Sequence, residues 1–369
     1  MLAELDRHPH ARAVLAAVFS PDGWPSHAYL FHGPGGAGKR SAARAVAAEL
    51  LAAGSSDPAG ARGRVISGAH PDLTWVAPSG AHEILVSDID GPVVAAASKT
   101  PFESSRRVFV VERAHELGDE AANRMLKTLE EPAAFVHLIL LTDRLAEILP
   151  TIRSRCQAVR FEAPSLDQIA ADVQTLGVCA GAAMACARLS LGDAEHAVQL
   201  GVEEGAALRA AAEGFARAAV AAEVASQKPW SALLAAVRTQ GDTIRVRLES
   251  RAEAEVELYP RKDRKRIETE WSDRIKRTRR RVETGTLDLA LQLVALWFID
   301  LICLSWGAEE LVRHVDRRAE LAAAVGIDPQ QLRAAVELVE DTRLRFQLNV
   351  SEELACEALA YRLERELAT

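Results

Sequence analysis

The sequence predicts an α/β unit built on a doubly wound parallel sheet, followed by an all-α remainder, and three observations carry that expectation. A short apolar run from Ala28 leads straight into the glycine-rich stretch Gly33-Pro-Gly-Gly-Ala-Gly-Lys39, after which Ala42 to Leu51 has helical spacing. Two further continuous apolar runs, Arg107 to Glu112 and Val136 to Thr142, have the composition of strands buried on both faces. Past Pro164 helical periodicity takes over, and no strand pattern returns.

In chain order, Met1 to Phe19 has the spacing of an amphipathic helix, and Ser20 to Pro25 is a loop of strong turn residues. Strand, glycine loop and helix then follow in the order of a P-loop. Such a loop turns backbone N–H groups inward around a phosphate. The helix N-terminus adds partial positive charge, and Lys39 is placed to reach the β- and γ-phosphates. The candidate nucleotide-binding residues are Gly33, Gly35, Gly36, Gly38, Lys39, Arg40 and Ser41. One position departs from the motif. The residue after the lysine should carry a hydroxyl for magnesium, and here it is Arg40. Ser41 comes one residue late and points roughly 100° away on a helix of 3.6 residues per turn.

Between Leu51 and His70 the chain is small, polar and rich in Gly and Pro, which suggests a surface connection without chemistry. Asp72 to Ala77 alternates as a strand does, and Asp88 to Ser98 has helical spacing. The strand ending at Glu112 is followed by a turn at Gly118-Asp119, a helix from Glu120 to Glu131 and a stop at Pro132. After Val136 to Thr142 come a short helix, Leu145 to Ile148, and a last strand, Ala158 to Phe161. In a doubly wound sheet ligands sit at the carboxyl ends of the strands. Lys39, Glu112 and Thr142 all fall at or just past such ends. Lys127, Glu130 and Glu131 have the pattern of an exposed helix end.

The domains expected are residues 1–163 for the sheet, 164–204 for a small helical domain and 205–369 for a larger all-helical one. The apolar run Leu287 to Trp306 is long enough for a membrane, but Asp288, Gln292 and Asp300 within it argue for a buried helix of a bundle. Between Arg261 and Arg281 stand eleven Lys/Arg against four Asp/Glu, a local +7 inside a chain of net charge −8. Two readings stay open there: a solvated helix hairpin laced by i,i+4 ion pairs, or a DNA contact through phosphates. Cys156, Cys179, Cys186, Cys303 and Cys356 show no paired spacing, which suits a reducing compartment, and the N-terminus has no signal-peptide pattern. A cytoplasmic protein without a membrane partner is expected.

The P-loop, Val108-Phe-Val-Val-Glu-Arg-Ala-His-Glu-Leu117, Asn123-Arg-Met-Leu-Lys-Thr-Leu-Glu-Glu-Pro132, Leu140-Leu-Thr142 and Ile152-Arg-Ser-Arg-Cys156 together resemble the clamp-loader branch of the AAA+ ATPases. The likeness covers residues 1 to about 163 well. It is weaker in the C-terminal part, at Leu296-Trp-Phe-Ile-Asp300 and Leu348-Asn-Val350. It implies an AAA+ sheet domain, a helical lid and an all-α collar that holds several subunits in a ring. The implied partners are other clamp-loader subunits of the delta and tau/gamma kinds, with a sliding clamp and primer-template DNA reached through the complex. Thr142 would be the γ-phosphate sensor, the alternative being a buried threonine that caps a strand. Arg155 would be an arginine finger supplied in trans to a neighbour's ATP, the alternative being a surface arginine after a loop.

Departures from the family pattern bear on activity. An active relative would end the strand at Glu112 with Asp-Glu, the Asp for magnesium and the Glu to orient water, where this chain has Glu112-Arg113. An arginine cannot accept the water's proton. With Arg40 in the place of the metal hydroxyl, two requirements for hydrolysis fail. A third gap lies at Gly192-Asp193, where an active relative would have Arg-Asp in the lid. Leu51 to His70 contains no cysteine, so the zinc module of many relatives is not expected. The expectation is a non-hydrolysing structural subunit that completes a neighbour's site, with ATP or ADP held weakly if at all. The alternatives are an ATPase working with degenerate metal ligands, or a stand-alone DNA-binding protein resting on Arg261 to Arg281.

Overall fold

A computed structural model of the chain describes residues 5, 7–20, 23–78, 83–257, 260–324, 326–346 and 350–368. The features expected at residues 1–4 and at Leu348-Asn349 lie outside them. The chain divides into two compact units, Met1–Pro164 and Ser165–Thr369.

The first unit is a five-stranded sheet: β1 (Ala28–His32), β2 (Leu73–Val76), β3 (Arg107–Val111), β4 (Val136–Thr142) and β5 (Gln157–Arg160). The strand order is β2-β3-β4-β1-β5. Every pairing is parallel. Side chains alternate across it with period two. Tyr29, Phe31, Val108, Val110, Ile139 and Leu141 enter one core with the helices Pro9–Val18 and Lys39–Ala52. Leu30, Phe109, Val111, Leu138 and Leu140 enter another with the helix Asp119–Glu130. Both faces of β4 are therefore dry, and all seven of its residues are buried. That is why the strand was legible as an unbroken apolar run.

One expectation is corrected. The connection from Leu51 to His70 contains a helix, Pro58–Ser67. Asp57 caps it by accepting the Gly60 N–H at 2.9 Å, Pro58 opens its first turn, and Gly68 closes it in a left-handed conformation. Ala61 and Val65 are its buried side. Within the expected span Met1 to Phe19, the described helix is Pro9–Val18. The segment expected as helix Asp88 to Ser98 starts at Val86 and widens to a π-helical stretch over Asp90–Ala95.

The second unit has no strand among the described residues. Helices on both sides of residue 204 share one core, which runs from Ile169 to Leu363 and includes Phe215, Trp297 and Phe298. The long helix Arg261–Ser305 is apolar enough over its C-terminal part to cross a membrane by length and composition, but that part is packed into this core. Asp300 within it is fully buried, and it accepts the N–H groups of Arg313 and His314 at 2.8 Å each and faces the His314 ring at 2.8 Å. A charge so satisfied is tolerated in an apolar core.

Candidate functional site: a P-loop closed by an ion pair

The glycine loop leaves β1 at its carboxyl edge. A Cβ on Gly33 would fall 2.3 Å from the Phe161 carbonyl oxygen, so only glycine allows the loop to pass the end of β5. Gly38 stands at the helix cap with φ +74°, a left-handed conformation that side chains resist. Lys39 folds its ammonium over the loop and donates to the carbonyls of Gly33, at 2.7 Å, and Pro34. Gly35 and Gly36 lie within that curve, and the Ser41 hydroxyl donates to the Gly38 carbonyl at 3.0 Å. Loop, lysine and helix N-terminus thus retain the form of a phosphate cradle.

The metal position has a different occupant. The Arg40 guanidinium donates to Glu112 Oε2 at 2.5 Å, and Glu112 Oε1 accepts the Trp75 indole N–H at 2.6 Å. Glu112 is only 7% exposed, held from both sides. In an active relative the two corresponding positions, a hydroxyl after the lysine and a carboxylate after β3, would be joined by magnesium. Here the two residues join each other directly, and a fixed guanidinium charge stands between them. The residues present do not fit a magnesium ion. Beside the pair a cavity of about 790 Å³ is lined by Arg44, Arg62, Ile66 and Trp75, with Arg44 lying 5.1 Å over the Trp75 ring.

Arg113, at the position of the general base, has a left-handed backbone (φ 51°, ψ 47°) and pairs with Glu116 at 2.6 Å. The Thr142 hydroxyl is buried. It accepts the Arg144 N–H at 3.0 Å and lies 3.1 Å from His115 Nδ1. Burial holds the His115 ring below its ordinary pKa, so the ring facing Thr142 is neutral near pH 7. Both interactions are those of a threonine that caps a strand.

Arg155 lies at the other edge of the sheet. It precedes β5, whose first residue, Gln157, pairs with Tyr29 near the start of β1, whereas the P-loop follows the end of β1. Parallel strands advance together at about 3.3 Å per residue, so the start of β5 next to Arg155 is level with a point about 13 Å before the loop along β1. Its guanidinium contacts Glu130 at 2.6 Å and the Thr151 carbonyl at 2.8 Å. Glu130 belongs to the Leu-Glu-Glu-Pro run, so the two stretches that carry the family resemblance meet in this ion pair. Cys156 next to it is packed against the core, and burial pushes its thiol up to about 12. Gly192-Asp193 forms a helix cap, with Asp193 accepting the N–H groups of Glu195 and His196 at 2.9 and 3.2 Å.

Trp75 was not foreseen. Nothing in a half-buried strand tryptophan signals that its indole fixes a carboxylate 37 residues away.

A parallel sheet in this strand order, with a P-loop after β1 and a carboxylate after β3, has the AAA+ fold, followed by a helical unit. Residues 11–165 match the family model described as "DNA polymerase III, delta subunit". The chain is 37% identical over 136 residues to DNA polymerase III subunit delta-prime of Pseudomonas aeruginosa, covering 36% of this chain and 42% of that protein. It is 38% identical over 141 residues to the same subunit of Bacillus subtilis, covering 37% and 42%. It is 33% identical over 171 residues to subunit gamma/tau of Mycobacterium tuberculosis, covering 43% and 28%. A gamma subunit-related protein of Thermotoga maritima superposes with a TM-score of 0.45 at 15% identity, over 97% of this chain and 99% of that one. Residues 11–165, the sheet unit, are therefore similar to the delta-prime subunits of DNA polymerase III. The match spans less than half the length of those curated relatives.

Proposed function

We propose that the chain is a clamp-loader subunit of a bacterial DNA polymerase III, cytoplasmic, that does not hydrolyse ATP itself and instead lends Arg155 to the ATP of a neighbouring subunit. The observation that carries the first half is the Arg40–Glu112 pair. Removing one catalytic electrostatic partner typically costs about 10²-fold or more. Here the metal hydroxyl and the water-orienting carboxylate are both replaced, and the remaining acid is engaged by an arginine. The glycine loop and Lys39 keep the capacity to hold the phosphates of ADP or ATP weakly and without a metal. Thr142 keeps the sensor position at the carboxyl end of β4, where its hydroxyl, which accepts the Arg144 N–H, would face a γ-phosphate. The other half is supported by the position of Arg155, across the sheet from this chain's own loop, and by its planar, always-charged head group.

The partners expected are the delta and tau/gamma subunits, with the sliding clamp and primer-template DNA approached through the complex. In this reading residues 164–204 act as the lid and 205–369 as the collar. Two measurements test it. The isolated chain should show no ATP turnover above a Lys39→Ala control, and turnover abolished by that substitution would mean an ATPase with degenerate ligands. The reconstituted loader, with clamp and primed DNA, should lose turnover on Arg155→Ala with the subunit still incorporated. Arg155→Lys should restore little, since an ammonium lacks the bidentate fork. Unchanged turnover in the alanine variant would return Arg155 to a surface role.

A further inference from the structure

The helices Pro229–Glu257 and Arg261–Ser305 form a hairpin whose tip has its own small core, Ala252, Ile267 and Trp271 with Leu248, Val256 and Ile275 packed around them. The basic stretch is thus part of an ordered helix with a defined inner side. Ile267, Trp271 and Ile275 recur every four residues and point inward. Lys262, Lys265, Arg266, Lys276, Arg277 and Arg280 stand five, six or nine residues from Trp271, roughly the far side of a helix of 3.6 residues per turn. All six are exposed, and Asp273 and Glu270 are exposed carboxylates on and beside this face. From Lys262 to Arg280 the stripe runs roughly 27 Å at 1.5 Å per residue.

Ion pairs account for only part of this charge. Arg266 pairs with Glu270 at 2.7 Å and Arg280 with Glu352 at 2.9 Å. On the flank, Arg279 meets Glu283 and Asp242. Lys262, Lys265 and Lys276 have no carboxylate partner among the described residues. The stripe also lacks any exposed large apolar side chain, which a protein interface needs as an anchor, and any exposed aromatic ring, which a single strand needs for stacking. What fits a row of mobile cations without anchors is a row of phosphates at fixed spacing.

We propose that the outer face of the helix from Lys262 to Arg280 is a docking surface for the phosphate backbone of duplex DNA, read without regard to sequence. This does not depend on the role of Arg155 or of the P-loop, and it is tested on the full-length chain alone. The probe is a labelled duplex of mixed sequence, followed by anisotropy while salt is raised. With up to six phosphate contacts, affinity should fall by as much as about 10³-fold between about 50 and 200 mM salt. K262E/K265E/K276E should weaken binding at low salt by at least about tenfold and flatten the salt slope by about 3, at roughly 0.9 per contact. The triple variant removes no described ion pair, so its helicity and melting should match wild type. If it does not fold, K262Q/K265Q/K276Q should show the same trend at smaller size. Wild-type binding absent at low salt, an unchanged slope in the folded variant, or tighter binding of a single strand of the same length would each overturn the proposal. Equal duplex binding with lost incorporation into a loader would assign the stripe to an acidic protein instead.

Discussion

Two arginine–glutamate pairs sit at opposite edges of one sheet, and they differ in how the glutamate is held. At the carboxyl edge Glu112 is buried, takes the Trp75 indole on its second oxygen, and locks Arg40 across the metal position. At the amino edge Glu130 ends a helix with its side chain 49% exposed, and water can replace it on Arg155. The contact distances are nearly equal, 2.5 and 2.6 Å. Geometry at the bond therefore does not distinguish the two pairs; the surroundings of the acid do.

The largest effect that can break this comparison is catalytic. If Arg155 acts as proposed, Arg155→Ala should lower turnover at the neighbouring site by about 10³-fold or more, the range of arginine fingers. Loss over the whole ring will be smaller if other subunits contribute their own arginines. Arg40→Ala should leave loader turnover near wild type. If the two variants fall together, the edges do not have separate roles.

The next effect is on stability. Glu112→Ala removes the acceptor of both the Arg40 guanidinium and the Trp75 indole, and about 1.5 to 3 kcal/mol is expected for hydrogen bonds to a charged group. Glu130→Ala breaks an exposed pair and should cost no more than about 1 kcal/mol. Urea denaturation of the two variants sharpens the contrast, and equal losses would mean that Glu130 is as fixed as Glu112.

A pH-dependent effect, felt only in acid, belongs to the amino edge. His137, at the start of β4, is held by burial down to about 4, with its Nδ1 on the Ser26 carbonyl at 2.9 Å. Below about pH 6.5 the unfolded chain takes up a proton here that the folded chain refuses, so stability falls as pH drops from 6.5 toward 4. The loss should reach about 3 kcal/mol at most, and His137→Gln should flatten the profile over that window in urea titrations at successive pH values.

What the sequence made legible follows from where the determinants lie. β4 and β3 announced themselves because burial on both faces demands apolar residues in succession, and the glycine loop because its geometry restricts residue type. The helix Pro58–Ser67 was hidden because Gly60 and Gly63 are poor helix formers in a segment of only ten residues. Its cap and its packing side, Asp57, Ala61 and Val65, act only once the chain is folded. Arg40 and Glu112 were each legible as departures from an active site. That the two departures meet was not, since 72 residues separate them. The same holds for Arg155 and Glu130, each visible in its own motif. Thr142 left two readings open, and its contact with a ring from another loop, His115, was not legible in either.

The helix Arg261–Ser305 carries one further consequence. Its 45 residues form one unbroken helix, yet the stretch after Thr286 lies in the main core while Ile267, Trp271 and Ile275 pack in the small core of the hairpin tip. Backbone amides in one unbroken helix should therefore exchange with deuterium at very different rates. Those near Leu291 and Trp297 should open only when the whole unit unfolds, and those near Lys262 to Trp271 through fraying of the tip. The crossover should fall close to Thr286, so that secondary structure runs continuously through a boundary between two cooperative units.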